Sequence, residues 1–503
     1  VAGDQIGGTA DGRVSAVLND GTPGPAHHSK TAACEHDRRL SEHRVAPGCV
    51  TSGQRTRSCT VPRSRFDQSL RRVPGEGIDL ESSHRSIGWG YMGHVGMRVG
   101  VTGSSARSLN LILATWVSAI NFWAWNLIGP LSTTYADALS LSSAQASILV
   151  ATPILVGALG RVVIGPLTDR FGGRTMFIAI SVSSMFPVLA VGFAGAIDSY
   201  VLLLAFGFVL GIAGTIFAVG IPFVNSWFRP ERRGFATGVF GAGMVGTALS
   251  AFFTPRFVRW FGLFPTHAII AGALAITAIV CVLVMRNSPD FTPNTQSVLP
   301  KLKGAAKLRV TWEMSFLYAV VFGGFVAFSN YLPTYIKTIY HFSAVDAGTR
   351  TAAFAVAAVV ARPIGGALSD RVPPKFVVLF SFAGTAAMAI VAAFQPPPDV
   401  LSAATFISLA LFLGVGTGGV FAWVARRSPA KSVGAVTGIV AAAGGLGGYF
   451  PPLVMGATYN AEENNYTVGL GLLALTALAA LLYTAYKLPA RESAHSTAPA
   501  KRN

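Results

Sequence analysis

From Leu109 onward the chain alternates stretches of about 20 apolar residues with short polar gaps. A helix rises ~1.5 Å per residue, so about 20 apolar residues match a hydrocarbon core ~30 Å thick. The pattern predicts twelve transmembrane helices, near 109–134, 143–168, 174–195, 199–226, 233–255, 264–285, 312–337, 345–368, 374–394, 400–424, 432–458 and 464–486. The longest gap, 286–311, follows the sixth stretch and reads as a cytoplasmic linker. It separates two six-helix bundles, 109–285 and 312–486, with a short cytoplasmic tail at 487–503. The expected class is an all-α membrane protein.

Composition agrees with that pattern. Only 12% of the 503 residues are charged and 51% are hydrophobic, with a mean hydropathy of +0.52. An ordinary soluble domain carries about 25% charged residues, so the chain is neither disordered nor built like a soluble enzyme. The net charge of +17 suggests nucleic acid until its placement is read. Residues 109–503 hold 25 Lys/Arg against 12 Asp/Glu, mostly in the short gaps. Even-numbered gaps contain 15 basic residues and odd-numbered gaps 4. Cytoplasmic loops of membrane proteins are enriched in Lys and Arg. The even gaps and both termini are therefore expected on the cytoplasmic side of a cell (inner) membrane, and no nucleic-acid partner is expected.

Residues 1–108 differ from the rest, with 14 Lys/Arg, 10 Asp/Glu and no apolar run long enough for a signal peptide. They read as a disordered cytoplasmic extension or, because the chain begins with Val1, as a stretch upstream of the true start. Cys34, Cys49, Cys59 and Cys281 lack the spacing of a disulfide scaffold or zinc site. His27, His28, His36 and His43 add no ligand pair with zinc-like spacing. No metal and no cofactor are expected.

The halves repeat one another. Arg161-Val-Val-Ile-Gly165-Pro-Leu167-Thr168-Asp169-Arg170 aligns with Arg362-Pro-Ile-Gly-Gly366-Ala-Leu368-Ser369-Asp370-Arg371, 201 residues later. Gly234-Phe-Ala-Thr237-Gly238-Val239 is echoed by Gly434-Ala-Val-Thr437-Gly438-Ile439, 200 residues later. Two related six-helix halves are the signature of a carrier that rocks one bundle against the other.

Arg161 and Arg362 each precede an Asp-Arg loop by 8 residues, about 12 Å of helix, which places both near mid-membrane. An arginine there costs about 2.5–3.5 kcal/mol on insertion scales. A buried carboxylate would offset it, yet no Asp or Glu falls mid-run; Asp169, Asp370, Glu313 and Asp346 all lie at helix ends. Snorkelling over ~12 Å is a long reach for one side chain. Two forked guanidiniums that never deprotonate suit a small oxyanion such as a carboxylate, nitrate or phosphate.

Glycines concentrate in the fifth and eleventh helices, where Gly238, Gly241, Gly243, Gly246, Gly438, Gly444, Gly445, Gly447 and Gly448 allow close helix packing. For Gly447 and Gly448 the bare backbone is equally a candidate donor of N–H groups to a ligand. Tyr318 and Phe322 stand four apart and share a helix face. The Asp169-Arg170 and Asp370-Arg371 loops read as a conformational latch, in which ion pairs and helix capping hold one state.

The segment Gly165-Pro-Leu-Thr-Asp169-Arg170-Phe-Gly172-Gly-Arg174 resembles the loop 2–3 signature of the major facilitator superfamily. Asn225-Ser-Trp-Phe-Arg-Pro-Glu-Arg-Arg-Gly-Phe-Ala-Thr-Gly238, Phe322-Gly-Gly-Phe-Val-Ala-Phe-Ser-Asn-Tyr-Leu-Pro and Gly444-Gly-Leu-Gly-Gly-Tyr-Phe-Pro-Pro resemble its nitrate/nitrite porter family. The likeness spans about residues 109–486 and implies the major facilitator fold. It implies that Arg161 and Arg362 clamp the anion, with Tyr318, Phe322, Phe217 and the Gly447-Gly448 backbone lining the site. Where that family usually has an asparagine in the fifth helix, this chain has Met244.

The resulting expectation is a monomeric, bilayer-embedded transporter of nitrate and nitrite that works by alternating access. Moving one anion against an inside-negative potential costs about 2.3 kcal/mol per 100 mV. Exchange of nitrate for nitrite cancels that cost, whereas proton-coupled nitrate symport needs at least two protons. No Asp, Glu or His lies at the midplane to carry them, and His267 and His341 fall near the outer side. A carrier of another small anion, such as an organic carboxylate, is the alternative. A membrane enzyme would need a nucleophile–base pair or metal ligands at depth, and none is found.

Overall fold

The computed structural model describes residues 103–229, 232–294, 298–429 and 432–488. The expected N-terminal extension and C-terminal tail fall outside the described residues, apart from 103–108 and 487–488. Twelve helices are long and apolar enough to cross a membrane. They are α1 Ser105–Leu139, α2 Ser143–Phe171, α3 Gly173–Ala196, α4 Tyr200–Trp227, α5 Phe235–Phe261 and α6 Leu263–Leu283 in the first half. The second half comprises α7 Arg309–Tyr340, α8 Ala344–Arg371, α9 Pro374–Ala393, α10 Val400–Arg427, α11 Val433–Ala457 and α12 Thr467–Lys487. Helices satisfy their backbone polar groups internally, which a hydrocarbon environment requires.

Several boundaries follow from local chemistry. Ser142 and Gln145 form a reciprocal capping box at the start of α2, and Ser343 and Asp399 cap α8 and α10. Gly172 and Gly262, at φ +84° and +88°, each turn the chain between consecutive helices in a single residue. The linker differs from a plain gap: it contains a short helix, Val298–Ala306, and α7 begins at Arg309.

Four helices are interrupted part-way. α1 breaks at Asn126 and Leu127, and α4 tightens into a 3₁₀ turn over Gly211–Thr215. α5 does the same over Ala242–Met244, and α11 breaks at Gly448 and Tyr449, just before Pro451 and Pro452. Such interruptions are tolerated at membrane depth where neighbouring helices shield the backbone.

The repeat seen in the sequence is repeated in the packing. A Cβ at Gly246 on α5 would overlap the Ala119 carbonyl on α1, and one at Gly447 on α11 would overlap the Ala319 carbonyl on α7. Ala119 and Ala319 are 200 positions apart.

Contacts between the halves are concentrated at the end remote from the termini of the described bundle, Gly103 and Leu488. There Ser132 and Thr334 hydroxyls lie 2.6 Å apart, Ser147 donates to the Tyr331 hydroxyl at 3.2 Å, and Lys337 pairs with Asp137. The Arg256 Nη2 donates to Thr349 Oγ1 at 2.8 Å, and Gly348 abuts the Ala251 carbonyl. Towards the terminal end, Gly165, Gly238, Gly241, Gly366, Gly434 and Gly438 face open space. The seam is therefore shut at one end and open at the other.

This contrast yields a stability test. Gly246→Ala should destabilise the detergent-solubilised protein by about 1–3 kcal/mol, the usual cost of overpacking. Gly238→Ala, with free space for its methyl group, should not lower the thermal unfolding midpoint.

Candidate substrate site

Arg161 on α2 and Arg362 on α8 occupy equivalent places in the two halves, yet their surroundings differ. Arg161 is 4% exposed and fully engaged. Its Nη1 donates to the Ala441 carbonyl of α11 at 3.1 Å, while Nε and Nη2 both reach the Gly214 carbonyl at 3.4 Å. Gly214 belongs to the 3₁₀ turn of α4. The Ala441 bond crosses from one half to the other.

Arg362 is half-buried, and its Nη1 contacts the thioether sulfur of Met244. Its Nε and Nη2 are buried and have no hydrogen-bond partner. These two atoms form the side-on edge of the guanidinium, the pair that grips two oxygens of a planar oxyanion. Leaving such donors unmet costs about 1–3 kcal/mol or more for a charged group.

Aromatic rings connect the two cations. The Phe322 ring centre lies 5.6 Å from Arg161 Cζ and 5.3 Å from Arg362 Cζ. Phe217 faces Arg161 at 5.5 Å, and Phe325 faces Arg362 at 4.3 Å. Cation–π contacts contribute about 0.5–2 kcal/mol each when desolvated, without cancelling charge. Among the described residues the ion pairs join Arg309 and Arg427 to Glu313, Lys337 to Asp137, and Arg426 to Asp370. Neither Arg161 nor Arg362 is among them. Among the described residues both positive charges stand without a carboxylate partner.

Tyr318 is buried and stacks on Phe322 at 4.9 Å with rings 7° apart, while Phe421 meets it edge-on at 4.6 Å. A Cβ at Gly444 would overlap the Tyr318 ring, and one at Gly445 would lie 3.4 Å from Arg161 Nη1. These two glycines are what lets α11 approach the rings and the guanidinium. Gly447 and Gly448 lie elsewhere on the helix, against Ala319, Gly323 and Val326 of α7. The Gly448 N–H is also occupied, donating to the Gly445 carbonyl at 3.0 Å.

The structure thus gathers Arg161, Arg362, Phe217, Tyr318, Phe322 and Met244 in one place, and sets Gly447 and Gly448 in the adjoining helix contact. Sequence reasoning did not single out Gly214, Ala441, Phe325 or Phe421. Phe325 is three residues beyond Phe322, so helical spacing was a usable signal for it. The two carbonyl anchors have no side-chain signature.

Among the described residues the loop charges form no ion pair between the halves. Asp370 pairs with Arg426 of α10 at 3.3 Å. The Asp169 carbonyl accepts from the linker amide of Asn294 at 3.0 Å, and Arg170 lies over the neighbouring Phe171 ring. Arg371 is exposed. His267 is buried between the Leu263 carbonyl at 2.9 Å and the Tyr135 hydroxyl at 3.3 Å, and His341 is exposed at the end of α7. Among the described residues no cluster of three or more His, Cys, Asp or Glu forms a metal site.

Comparison with known proteins agrees with this architecture. The family profile of the Major Facilitator Superfamily matches residues 114–452 and 314–503. The chain is 73% identical over 386 residues to a probable nitrate/nitrite transporter, NarK2, of Mycobacterium tuberculosis H37Rv, covering 77% of this chain and 97% of that one. It is 34% identical over 378 residues to the nitrite extrusion protein of Bacillus subtilis strain 168, covering 75% and 92%. It is 32% identical to a probable nitrate/nitrite antiporter, NarK1, of Thermus thermophilus, covering 68% and 83%. Among solved structures, a D-xylose-proton symporter superposes with a TM-score of 0.60 at 15% identity, covering 75% of this chain and 97% of that one. That likeness shows the fold alone. On the profile match and these relatives, the chain belongs to the nitrate/nitrite porter family of the major facilitator superfamily.

Proposed function

We propose that this protein is a monomeric inner-membrane carrier that exchanges nitrate and nitrite through the Arg161–Arg362 site. The observation that carries the reading is the free Nε/Nη2 edge of Arg362, buried near a second guanidinium, with neither paired to a carboxylate among the described residues. Two oxygens of nitrate or nitrite dock on that edge. Arg161 completes the clamp by giving up its bond to the Ala441 carbonyl, which links anion arrival to the α2–α11 contact between halves. Phe217, Phe322 and Tyr318 wall the site with ring faces and exclude water, and Met244 backs Arg362 with a weak, neutral acceptor.

The excess of Lys and Arg in the even loops supports a cytoplasmic position for both termini. The closed end of the seam then faces outward and the open end inward. Emptying the site leaves two uncompensated charges in a low-dielectric interior, which opposes reorientation without cargo. Exchange follows, because an outgoing nitrite and an incoming nitrate move no net charge. Among the described residues no carboxylate or histidine pairs with or hydrogen-bonds either guanidinium to carry symported protons. In the outward-facing state the Asp169-Arg170 and Asp370-Arg371 loops come together at the inner end and latch it.

Two measurements test this reading. Arg161→Lys and Arg362→Lys keep the charge and lose the fork. Each should cut nitrate uptake into proteoliposomes about tenfold or more, since hydrogen bonds to charged groups contribute about 1.5–3 kcal/mol; wild-type uptake by both variants overturns bidentate recognition. Liposomes loaded with nitrite should take up external nitrate with no change in internal pH. Uptake that requires a pH gradient and proceeds without internal nitrite overturns exchange, and full competition by an organic carboxylate overturns the choice of cargo.

A further inference from the structure

The end of the bundle remote from the termini contradicts its own charge pattern at one place. Its basic residues along the membrane helices are Arg256, Arg259, Lys337 and Arg350. Lys337 is occupied by Asp137 across the seam. The other three lie near the remote ends of α5 and α8. Arg256 Nη2 donates to Thr349 Oγ1 at 2.8 Å, Arg350 is the next residue, and Arg259 follows Arg256 by three residues, about one turn.

None of the three is paired with a carboxylate among the described residues. Two are instead held over rings, Arg256 at 3.7 Å from the Phe252 centre and Arg350 at 4.2 Å from the Phe342 centre. Arg259 and Arg350 are exposed. The acids of this end lie on other turns: Asp198 between α3 and α4, Asp399 at the start of α10, and Glu462 and Glu463 between α11 and α12. Asp346 is the one acid on the same helix turn, and it accepts from the Ser343 hydroxyl at 2.6 Å. The rim as a whole therefore repels anions, and the α5–α8 seam is its positive spot.

Just inside that spot the seam is shut. Gly348 abuts the Ala251 carbonyl, and a Cβ there would lie 3.2 Å from Pro255 Cγ.

We infer that Arg256, Arg259 and Arg350 form an outer capture site for small oxyanions, distinct from the central pair and reached before the seam opens. This rests on the carrier reading above. Clustered charge at a low-dielectric mouth focuses the field and concentrates counter-ions locally. Arg256 adds a second role, because its bond to Thr349 spans the halves. When α5 and α8 part, that bond breaks and Nη2 turns to the captured anion. Capture thus offsets part of the cost of opening, and anions bound outside favour the outward-open state.

The experiment uses the full chain in right-side-out membrane vesicles loaded with nitrite, with nitrate as the probe. Arg259→Gln and Arg350→Gln, both exposed, are combined so that Arg256 and its seam bond remain. The double variant should raise KM for external nitrate about threefold or more with kcat unchanged, in keeping with the scale of electrostatic steering. Wild-type uptake should decline as salt rises to about 0.15 M, where the screening length falls to ~8 Å, and the double variant should lose that decline. KM for internal nitrite should not move, and Lys at both positions should restore wild-type values because capture needs charge and no fork. An unchanged external KM at low salt, a fall in kcat alone, or failure of the Lys variant overturns the inference while leaving the carrier reading intact. No exchange by wild type sinks both.

Discussion

Two guanidinium charges held in a helical bundle, with no ion-pair partner among the described residues, set the terms for everything else in this molecule. Each costs about 2.5–3.5 kcal/mol to place at mid-membrane on insertion scales. The bundle offsets that cost with dipoles and ring faces: the Gly214 and Ala441 carbonyls for Arg161, and Phe322 and Phe325 for Arg362. These partners stabilise a cation without cancelling it. A carboxylate would hold each arginine more firmly and would also remove the reason for an anion to enter.

The seal at the remote end complements that design. It is assembled from separate polar contacts, including Ser132 with Thr334, Ser147 with Tyr331 and Arg256 with Thr349, set between close backbone approaches. A typical hydrogen bond contributes about 0.5–1.5 kcal/mol net. Several such contacts close an end securely, yet each is small beside the electrostatic change that accompanies loading. Small contacts along a shared seam suit an equilibrium that must run in both directions.

The twelve spans and the pair of arginines were legible because they depend on side-chain type and spacing. Apolar length predicts a span, and an arginine eight residues from a loop predicts depth. The interruptions were less legible. Nothing in Gly211-Ile-Ala-Gly-Thr215 separates a 3₁₀ turn from continuing helix, yet that turn supplies the Gly214 carbonyl. The glycines of α11 show the same limit. Gly444, Gly445, Gly447 and Gly448 are alike in sequence, and only helix phase and the break at Gly448 decide which of them meet Tyr318 and Arg161 and which meet α7. The difference between the two arginines was also hidden, since the repeated motif makes them look equivalent.

That difference has an evolutionary corollary. The anchors of Arg161 are main-chain oxygens, which every amino acid provides, so no single replacement at position 214 or 441 deletes them. Arg362 leans on the side chain of residue 244, which one codon can alter. Inherited variation among such carriers therefore has a fixed pole and an adjustable one, and divergence in selectivity should accumulate around the adjustable one.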